Sequence, residues 1–333
     1  VKATIFDQFC GGTSLSNSVP TIEELYANGS QTILDYGAEA KETEEDFDAT
    51  MQETIRAIEF AEAHASVPVV STKLTGMARF ELLEAVQADE YHSPALREEY
   101  ERVIQRLEKI CQVAKAKKVG VFFDAEETWI QDAIDKMVVL MMKKYNKESA
   151  VAFNTFQMYR HDRLAYLKKS FEHATTHGYI LGAKLVRGAY MEKERERAKE
   201  KGYPSPIQVS KEATDRDYND AVRFVVENYE TIASCNASHN ADSAMLQAQL
   251  IAKKGIARNH PHLNFCQLYG MSDHITFNLA KVGYNVAKYV PYGTVREVVP
   301  YLIRRAQENT SVTGDMTREH RFVIQEMKRR GLV

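Results

Sequence analysis

The sequence predicts an α/β fold, a closed (β/α)8 barrel, from three observations. Short β-rich runs alternate with long helical patterns, the signature of parallel strands joined by helical crossovers. Eight such runs can be counted, the number that closes a barrel. No Gly-x-Gly-x-x-Gly follows any of them, which argues against an open dinucleotide-binding sheet.

The first thirty residues read as a helical addition ahead of the barrel. The strands follow at Thr32 to Tyr36, Val67 to Leu74, Gly120 to Asp124, Ala150 to Gln157, Ile180 to Arg187, Thr231 to Ser238, Leu263 to Leu268 and Asn285 to Tyr289. A helix from Glu44 to His64 opens on the acidic run Glu42 to Asp46, suited to a positive helix N-terminus. A second starts at Ser93-Pro94, serine as cap and proline in the first turn. Gly178 after His177 stops a third. The apolar run Met137 to Met142 is too short to span a bilayer and reads as a buried helix segment. The expected organisation is one domain over 1–333: an N-terminal helical addition over 1–30, the barrel over 31–309, and a helical tail over 310–333 with a helix from Asp315 to Arg330.

Composition is that of an ordinary globular chain: 333 residues, 44% hydrophobic, 27% charged, formal net charge −3. No basic stretch points to nucleic acid. Cys10, Cys111, Cys235 and Cys266 have no metal or redox spacing and read as reduced thiols. No signal peptide is visible, and the chain begins at Val1 within what reads as structured sequence, as a fragment that has lost a targeting segment would.

A barrel of this kind works at the C-terminal ends of its strands, and polar residues gather there. They are Ser71-Thr-Lys73, Asp124-Ala-Glu-Glu127, Gln157 with Tyr159, Lys184-Leu-Val-Arg-Gly-Ala-Tyr190, Ser238-His-Asn240, Gln267-Leu-Tyr-Gly-Met271 and Tyr289-Val-Pro-Tyr-Gly293. Each has an ordinary alternative: Lys73 snorkelling to solvent, Asp124 or Asn240 capping a helix, Gly188 making a plain turn. Lys184 and Arg187, with Gly188-Ala189 allowing close backbone approach, suit a pyrophosphate or an electron-rich ring. Ser238, His239 and Asn240 at a helix N-terminus add donors for a phosphate or ribose.

In the last long helix, from Thr294 to Asn309, Val295, Val298, Val299, Leu302, Ile303 and Ala306 form the expected packing stripe. Tyr301, Arg304, Arg305 and Glu308 cluster on a second face, where two guanidiniums could hold a carboxylate. The ordinary alternative is an Arg304/Glu308 pair on a solvated face. Asn259-His-Pro-His262 could supply metal ligands, but it precedes strand seven, at the wrong end of the barrel, and no carboxylates accompany it. No metal site is expected.

Taken in order, Lys73-Leu-Thr, Asp124-Ala-Glu-Glu127, Lys184-Leu-Val-Arg-Gly-Ala-Tyr190, Tyr289-Val-Pro-Tyr-Gly293 and Tyr301-Leu-x-Arg-Arg-x-x-Glu-Asn309 make the chain resemble the proline dehydrogenases from Thr32 to Asn309. The resemblance implies a modified (β/α)8 TIM barrel with the last helix over the barrel mouth, and FAD as cofactor. It implies that Lys73, Arg304 and Arg305 hold the proline carboxylate, that Asp124 orients these cations, and that Leu268, Tyr289 and Tyr301 wall the ring. It places Gln157, Lys184, Arg187, Gly188, Ala189, Tyr190, Thr214, Ser238, His239, Asn240 and Glu308 at FAD. Bacterial members often carry arginine where this chain has Lys184, and lysine keeps the charge without the fork. Lys184 with Arg187 is similar to the mitochondrial branch and its bacterial relatives.

The implied reaction is oxidation of L-proline to Δ1-pyrroline-5-carboxylate by hydride transfer from C5 to flavin N5, followed by electron transfer to a quinone. Asp124 and Lys184 are the residues nearest the chemistry, Lys184 offering positive charge to the reduced cofactor. A lipid-soluble quinone implies peripheral contact with a membrane. The compartment stays open between the bacterial cytoplasm, at the inner membrane, and the mitochondrial matrix side. The rival readings are a hydroxyproline dehydrogenase, distinguished at Tyr289, an FAD-dependent folate reductase, a metal-dependent hydrolase using His239, His260 and His262, and an inactive proline sensor.

Overall fold

The computed structural model describes residues 5–311 and 324–331. Along the chain run α1 (Asp7–Phe9), α2 (Leu15–Ala27), β1 (Gln31–Tyr36), α3 (Glu44–Glu62), β2 (Val69–Thr72), α4 (Phe80–Gln87), α5 (Pro94–Lys117), β3 (Gly120–Phe123), α6 (Thr128–Tyr145) and β4 (Ala152–Gln157). Then come α7 (Arg163–His177), β5 (Leu181–Val186), α8 (Met191–Lys201), α9 (Lys211–Glu227), β6 (Ile232–Ala237), α10 (Ala241–Lys253), β7 (Leu263–Leu268), α11 (Asp273–Lys281), β8 (Val286–Tyr292) and α12 (Val295–Ser311). Each strand pairs in parallel with the next and β8 pairs with β1, closing the expected barrel.

The helix signals act as read. Thr43 caps α3 by accepting from the Asp46 amide, with Glu44, Glu45 and Asp46 in the first turn. Ser93 caps α5 by accepting from the Leu96 amide, with Pro94 at its start, and Gly178 ends α7 at φ 61°. Met137, Val138, Met141 and Met142 are buried in α6. No helix among the described residues is long and apolar enough to cross a membrane.

Most strand bounds shift by one or two residues from those expected, and only β7 keeps both. The second strand stops at Thr72, because Leu74–Gly76 forms a 3-10 turn. The eighth runs on to Tyr292, held by its pairing with β1 up to Tyr36 opposite Tyr292.

Because strand side chains alternate between faces, one parity fills the barrel and the other packs on the helices. The inward set is apolar low in the barrel: Ile33, Phe122, Phe153, Ala233, Cys235, Cys266 and Ala287 pack together, with Tyr289 above. Continuing that parity toward the strand ends gives Asp35, Ser71, Lys73, Asp124, Thr155, Gln157 and Lys184. The barrel therefore changes from apolar to charged along its axis, and the charged end is the one the C-terminal loops surround.

The N-terminal segment and α12 cover that end together. Phe6, Phe9 and Cys10 pack with Val298, Tyr301 and Leu302. Gly11 N–H donates to the Pro291 carbonyl and Gly293 N–H to the Gly12 carbonyl, stitching the segment to the end of β8. A Cβ on Gly270 would lie 2.0 Å from the Gln8 carbonyl oxygen, so only glycine lets this segment cross the β7–α11 loop.

The packing face of α12 corrects the sequence expectation. Val298, Tyr301, Leu302 and Arg305 are buried, while Ile303 is 52% exposed. The helix is rotated to seat its tyrosine and one arginine in the mouth, and Ile303 lies about 140° round the helix from Val298. The tail helix expected from Asp315 to Arg330 lies mostly outside the described residues; of its described part, residues 324–329 are helical.

Candidate active site

Charged side chains from six elements converge on the mouth. From β5, Lys184 donates to Asp124 Oδ1 at 2.5 Å, and from β8 the Tyr289 hydroxyl donates to Asp124 Oδ2 at 2.6 Å. Lys184 Nζ also sits 4.6 Å from the Tyr289 ring centre and 5.4 Å from that of Phe122. Burial pushes the Asp124 carboxyl up, but Lys184 and Lys73 outweigh it and hold the group below its ordinary value. A second group lies beside the first. Lys73 Nζ is 3.7 Å from Asp35 Oδ2 and 3.8 Å from Glu39 Oε2. Arg304 Nη1 and Nη2 donate to the two Glu39 oxygens at 2.7 and 3.1 Å, a fork-on-carboxylate pair.

Asp124 is thus the partner of Lys184 and Tyr289, and Glu39 is the carboxylate that draws Lys73 and Arg304 together. Of the cations that Asp124 was expected to orient, Lys73 lies within its electrostatic reach. The side chain of Glu308, the alternative partner of Arg304, lies outside the described residues. Arg305 diverges from its neighbour. Its guanidinium lies 5.2 Å from the Tyr301 ring centre, and it lies on the side of His239. Burial and then Arg305 lower His239 to a pKa of about 3, so that its imidazole is neutral, and its Nδ1 lies 2.9 Å from Ser272 Oγ. Leu268 is half-buried on the same rim.

The residues expected at a flavin form a continuous arc from β4 to α10. Gln157 Nε2 donates to the Glu126 carbonyl at 2.9 Å, while its Oε1 is buried without a hydrogen-bond partner among the described residues. A buried acceptor left unmade costs about 1–3 kcal/mol, so this oxygen fits a site that a bound N–H would complete. Gly188 has φ 139°, and a Cβ there would lie 2.5 Å from the Tyr159 ring; the backbone crosses that ring with no room for a side chain. Arg187 is locked: it donates to Asp215 Oδ1, to Ser238 Oγ at 2.6 Å and to Ser243 Oγ at 3.0 Å, and it covers the Tyr218 ring. Ala189 is exposed and Tyr190 half-buried at the start of α8, where the Tyr190 ring centre is 5.6 Å from the Arg304 guanidinium. The Thr214 hydroxyl donates to the Ser210 carbonyl within α9. Asn240 caps α10 by accepting from the Asp242 and Ser243 amides, so its side-chain oxygen serves the helix. These groups fit FAD as a polar arc with one unmet acceptor and a glycine crossing.

Sequence reasoning misses three carboxylates. Asp35 stands two residues beyond Ile33 on the inward face of β1, so strand parity could have found it. Burial raises it to about 6 against the pull of Lys73, and its Oδ1 has no hydrogen-bond partner among the described residues. Glu126, inside the Asp124-Ala-Glu-Glu127 motif, accepts from the Thr75 amide and hydroxyl, and burial raises it to about 7. Glu39 lies on a loop and carries no periodic signal.

His260 and His262 sit before β7, at the far end of the barrel from His239. His260 Nδ1 accepts from the His262 amide, and His262 Nδ1 lies 2.8 Å from the Tyr229 carbonyl oxygen. The three histidines of the hydrolase reading therefore do not meet.

A family model described as proline dehydrogenase matches residues 18–318. Proline dehydrogenase 1, mitochondrial, of Drosophila melanogaster is 39% identical over 247 residues, covering 71% of this chain and 36% of that protein. The carbapenem antibiotics biosynthesis protein CarD of Pectobacterium carotovorum is 33% identical over 326 residues, 97% of this chain and 83% of its own length. Among solved structures, proline utilization A of Bdellovibrio bacteriovorus superposes with a TM-score of 0.83 at 22% identity, over 94% of this chain and 33% of that one; that likeness bears on the fold. The chain spans little more than a third of the fly protein and a third of the solved one.

Proposed function

The chain belongs to the proline dehydrogenase family, and from that premise we propose that it oxidises L-proline to Δ1-pyrroline-5-carboxylate with FAD as hydride acceptor and a quinone as the final electron acceptor. The observation that carries the reading is the pairing of a carboxylate-matched cation group, Lys73 with Arg304 around Glu39, with Lys184 on the opposite wall of one mouth.

Lys73, Arg304 and Arg305 hold the substrate carboxylate at one end of a small rigid ring. Fixing that end fixes where C5 points, which lowers the barrier through orientation. Tyr289, Tyr301 and Leu268 wall the ring, and Asp124 holds both Lys184 and the Tyr289 hydroxyl in place. Gln157, Lys184, Arg187, Gly188, Ala189, Tyr190, Thr214, Ser238, His239, Asn240 and Glu308 hold the cofactor. FAD supplies the two-electron acceptor that no side chain offers. Delivery to a membrane quinone brings a peripheral contact with the bilayer, at the bacterial inner membrane or on the mitochondrial matrix side.

An absorbance spectrum of the protein, before and after L-proline under anaerobic conditions, tests the proposal. Flavin bands that bleach with proline are expected. A protein that neither carries nor takes up FAD would overturn the cofactor, and flavin that stays oxidised would overturn the substrate.

A further inference from the structure

Glu126, buried between β3 and α6, is bonded through its amide, its carbonyl and its carboxyl. Its N–H donates to Gln131 Oε1 at 2.7 Å, and Gln131 Nε2 donates in turn to Asp135 Oδ1 at 2.9 Å. Asp135 is itself fixed by Asn154 Nδ2 at 2.8 Å and by Arg163 Nη2 at 2.6 Å. Gln131, Asp135, Asn154 and Arg163 are each at most 2% exposed, so this anchor is shut off from water and rigid. The Glu126 carbonyl accepts from Gln157 Nε2 at 2.9 Å. Only the amino end of an amide can meet a carbonyl, so this bond decides that the Gln157 oxygen is turned the other way.

The carboxyl serves a different segment. It accepts from the Thr75 amide at 3.1 Å and from the Thr75 hydroxyl, and Thr75 lies in the 3-10 turn that follows Lys73. The loop over 37–43 is fastened to that same threonine. Lys41 N–H donates to the Thr75 carbonyl at 2.9 Å, and Ala40 N–H donates to Thr75 Oγ1 at 3.4 Å. Ala40 has φ 52°, in the left-handed region, which a residue with a side chain keeps only where its surroundings hold it. A Cβ on Gly76 would lie 3.0 Å from the Ala38 carbonyl oxygen, so turn and loop are in direct contact. Between Ala38 and Ala40 the loop carries Glu39, which meets Lys73 and Arg304.

We propose that Glu126 is a positioning residue that joins the two walls of the site: its carbonyl sets the Gln157 amide for the cofactor, and its carboxyl, through Thr75, holds the loop that presents Glu39 to Lys73 and Arg304. The proposal rests on the cofactor reading of Gln157 given above. A cofactor N–H at Gln157 Oε1 fixes the Gln157 amide and, through it, the Glu126 peptide, and the Thr75 turn and the loop are held by that same residue. FAD binding and order in the loop are then linked, and by reciprocity whatever frees the loop weakens FAD binding. Hydrogen exchange reads the link at named atoms, because the amides of Ala40 and Lys41 both have Thr75 as their acceptor.

The test is amide hydrogen exchange on the full chain with and without added FAD, read by mass spectrometry on peptides spanning 37–43, beside a titration of FAD affinity. In the parent, FAD should slow exchange at Ala40 and Lys41. In Glu126→Ala those amides should exchange faster without FAD, the slowing by FAD should vanish, and the Kd for FAD should rise roughly 3- to 10-fold, the worth of one net hydrogen bond. Peptides from β7, across the barrel, should keep their rates. Glu126→Gln, which still offers an acceptor to the Thr75 amide, should restore most of the protection and affinity. Where Glu126→Ala folds poorly, exchange quickens in β7 as well, and Thr75→Val, which leaves Glu126 whole and removes only the hydroxyl, carries the same test. Equal exchange at Ala40 and Lys41 in parent and variants, slowing by FAD that survives in them, or a Gln variant as loose as the Ala one would overturn the proposal. A parent that takes up no FAD would overturn the link together with the cofactor reading, and the flavin spectrum tells that failure from one in which FAD binds and the loop does not respond.

Discussion

If Arg304 holds the substrate carboxylate, then replacing it with methionine and removing the carboxylate from the substrate delete the same interaction, and their costs should not add. The structure sets the size of the effect. Arg304 is largely buried and already makes a forked pair with Glu39, so it is preorganised to present donors. A charge-assisted interaction of this kind is worth about 1.5–3 kcal/mol, which is roughly 10- to 150-fold in kcat/KM. The loss should fall mainly on KM, since the carboxylate is far from the reacting carbon and is held equally before and during hydride transfer. Glu39 stays neutralised in the variant, because Lys73 Nζ remains 3.8 Å away, so folding should be little affected.

The assay is a two-by-two comparison: parent and Arg304→Met, each with L-proline and with L-prolinamide, followed with a soluble electron acceptor. The parent should strongly favour proline, and the variant should lose most of that preference, leaving a coupling energy of about 1.5 kcal/mol or more. Arg304→Lys should fall between them, keeping the charge without the fork. Penalties that add, with prolinamide losing as much as proline on substitution, would refute the assignment of Arg304 to the carboxylate.

Tyr289→Phe removes the hydroxyl that donates to Asp124 at 2.6 Å; turnover with trans-4-hydroxyproline should gain relative to L-proline, and an unchanged ratio would remove Tyr289 from specificity. Arg163→Met strands Asp135, its buried partner at 2.6 Å, and should cost about 3–5 kcal/mol of stability in urea denaturation; a loss below 1 kcal/mol would be inconsistent with an uncompensated charge. Gly188→Ala, with φ 139° and the Tyr159 ring 2.5 Å from the new Cβ, should lower stability by about 1–3 kcal/mol and reduce retained flavin, and a variant as stable as the parent would contradict the close crossing.

The barrel is legible because its signals are local and repeated. Each strand is a short β-rich run, each crossover a helical period, and caps such as Ser93 and Gly178 need only their neighbours. The site is legible where strand parity and motif coincide, as at Lys73, Asp124, Lys184 and Tyr289. It is illegible where the partner comes from a loop. Nothing near Glu39 in sequence says that it will meet Arg304, 265 residues away. The outward stripe of α12 misleads for a related reason: Ile303 counts as apolar by pattern, but the helix caps a charged mouth, and what it must bury is set by Tyr301 and Arg305.

Glu126 shows what that difference costs the protein. Its carboxyl sits in the Asp124 motif, yet among the described residues no cation forms an ion pair with it, and burial raises it to about 7 from 4.5. The folded state therefore binds a proton more tightly than the unfolded chain between those values, so its contribution to stability is full below pH 4.5 and is lost as pH rises through about 7. The raised value corresponds to a penalty of roughly 3 kcal/mol at pH 8. Glu126→Gln keeps an acceptor for the Thr75 amide and removes the titration. Asp35 is raised too, in the same direction, so the quantity to measure is the difference between parent and variant in urea denaturation at pH 5 and pH 8. The variant should be more stable than the parent at pH 8 by up to that amount and nearly equal to it at pH 5. A difference independent of pH would mean that Glu126 is charged throughout, held by the Thr75 donors and Lys73, and the mouth would then carry one more negative charge facing the proposed substrate carboxylate.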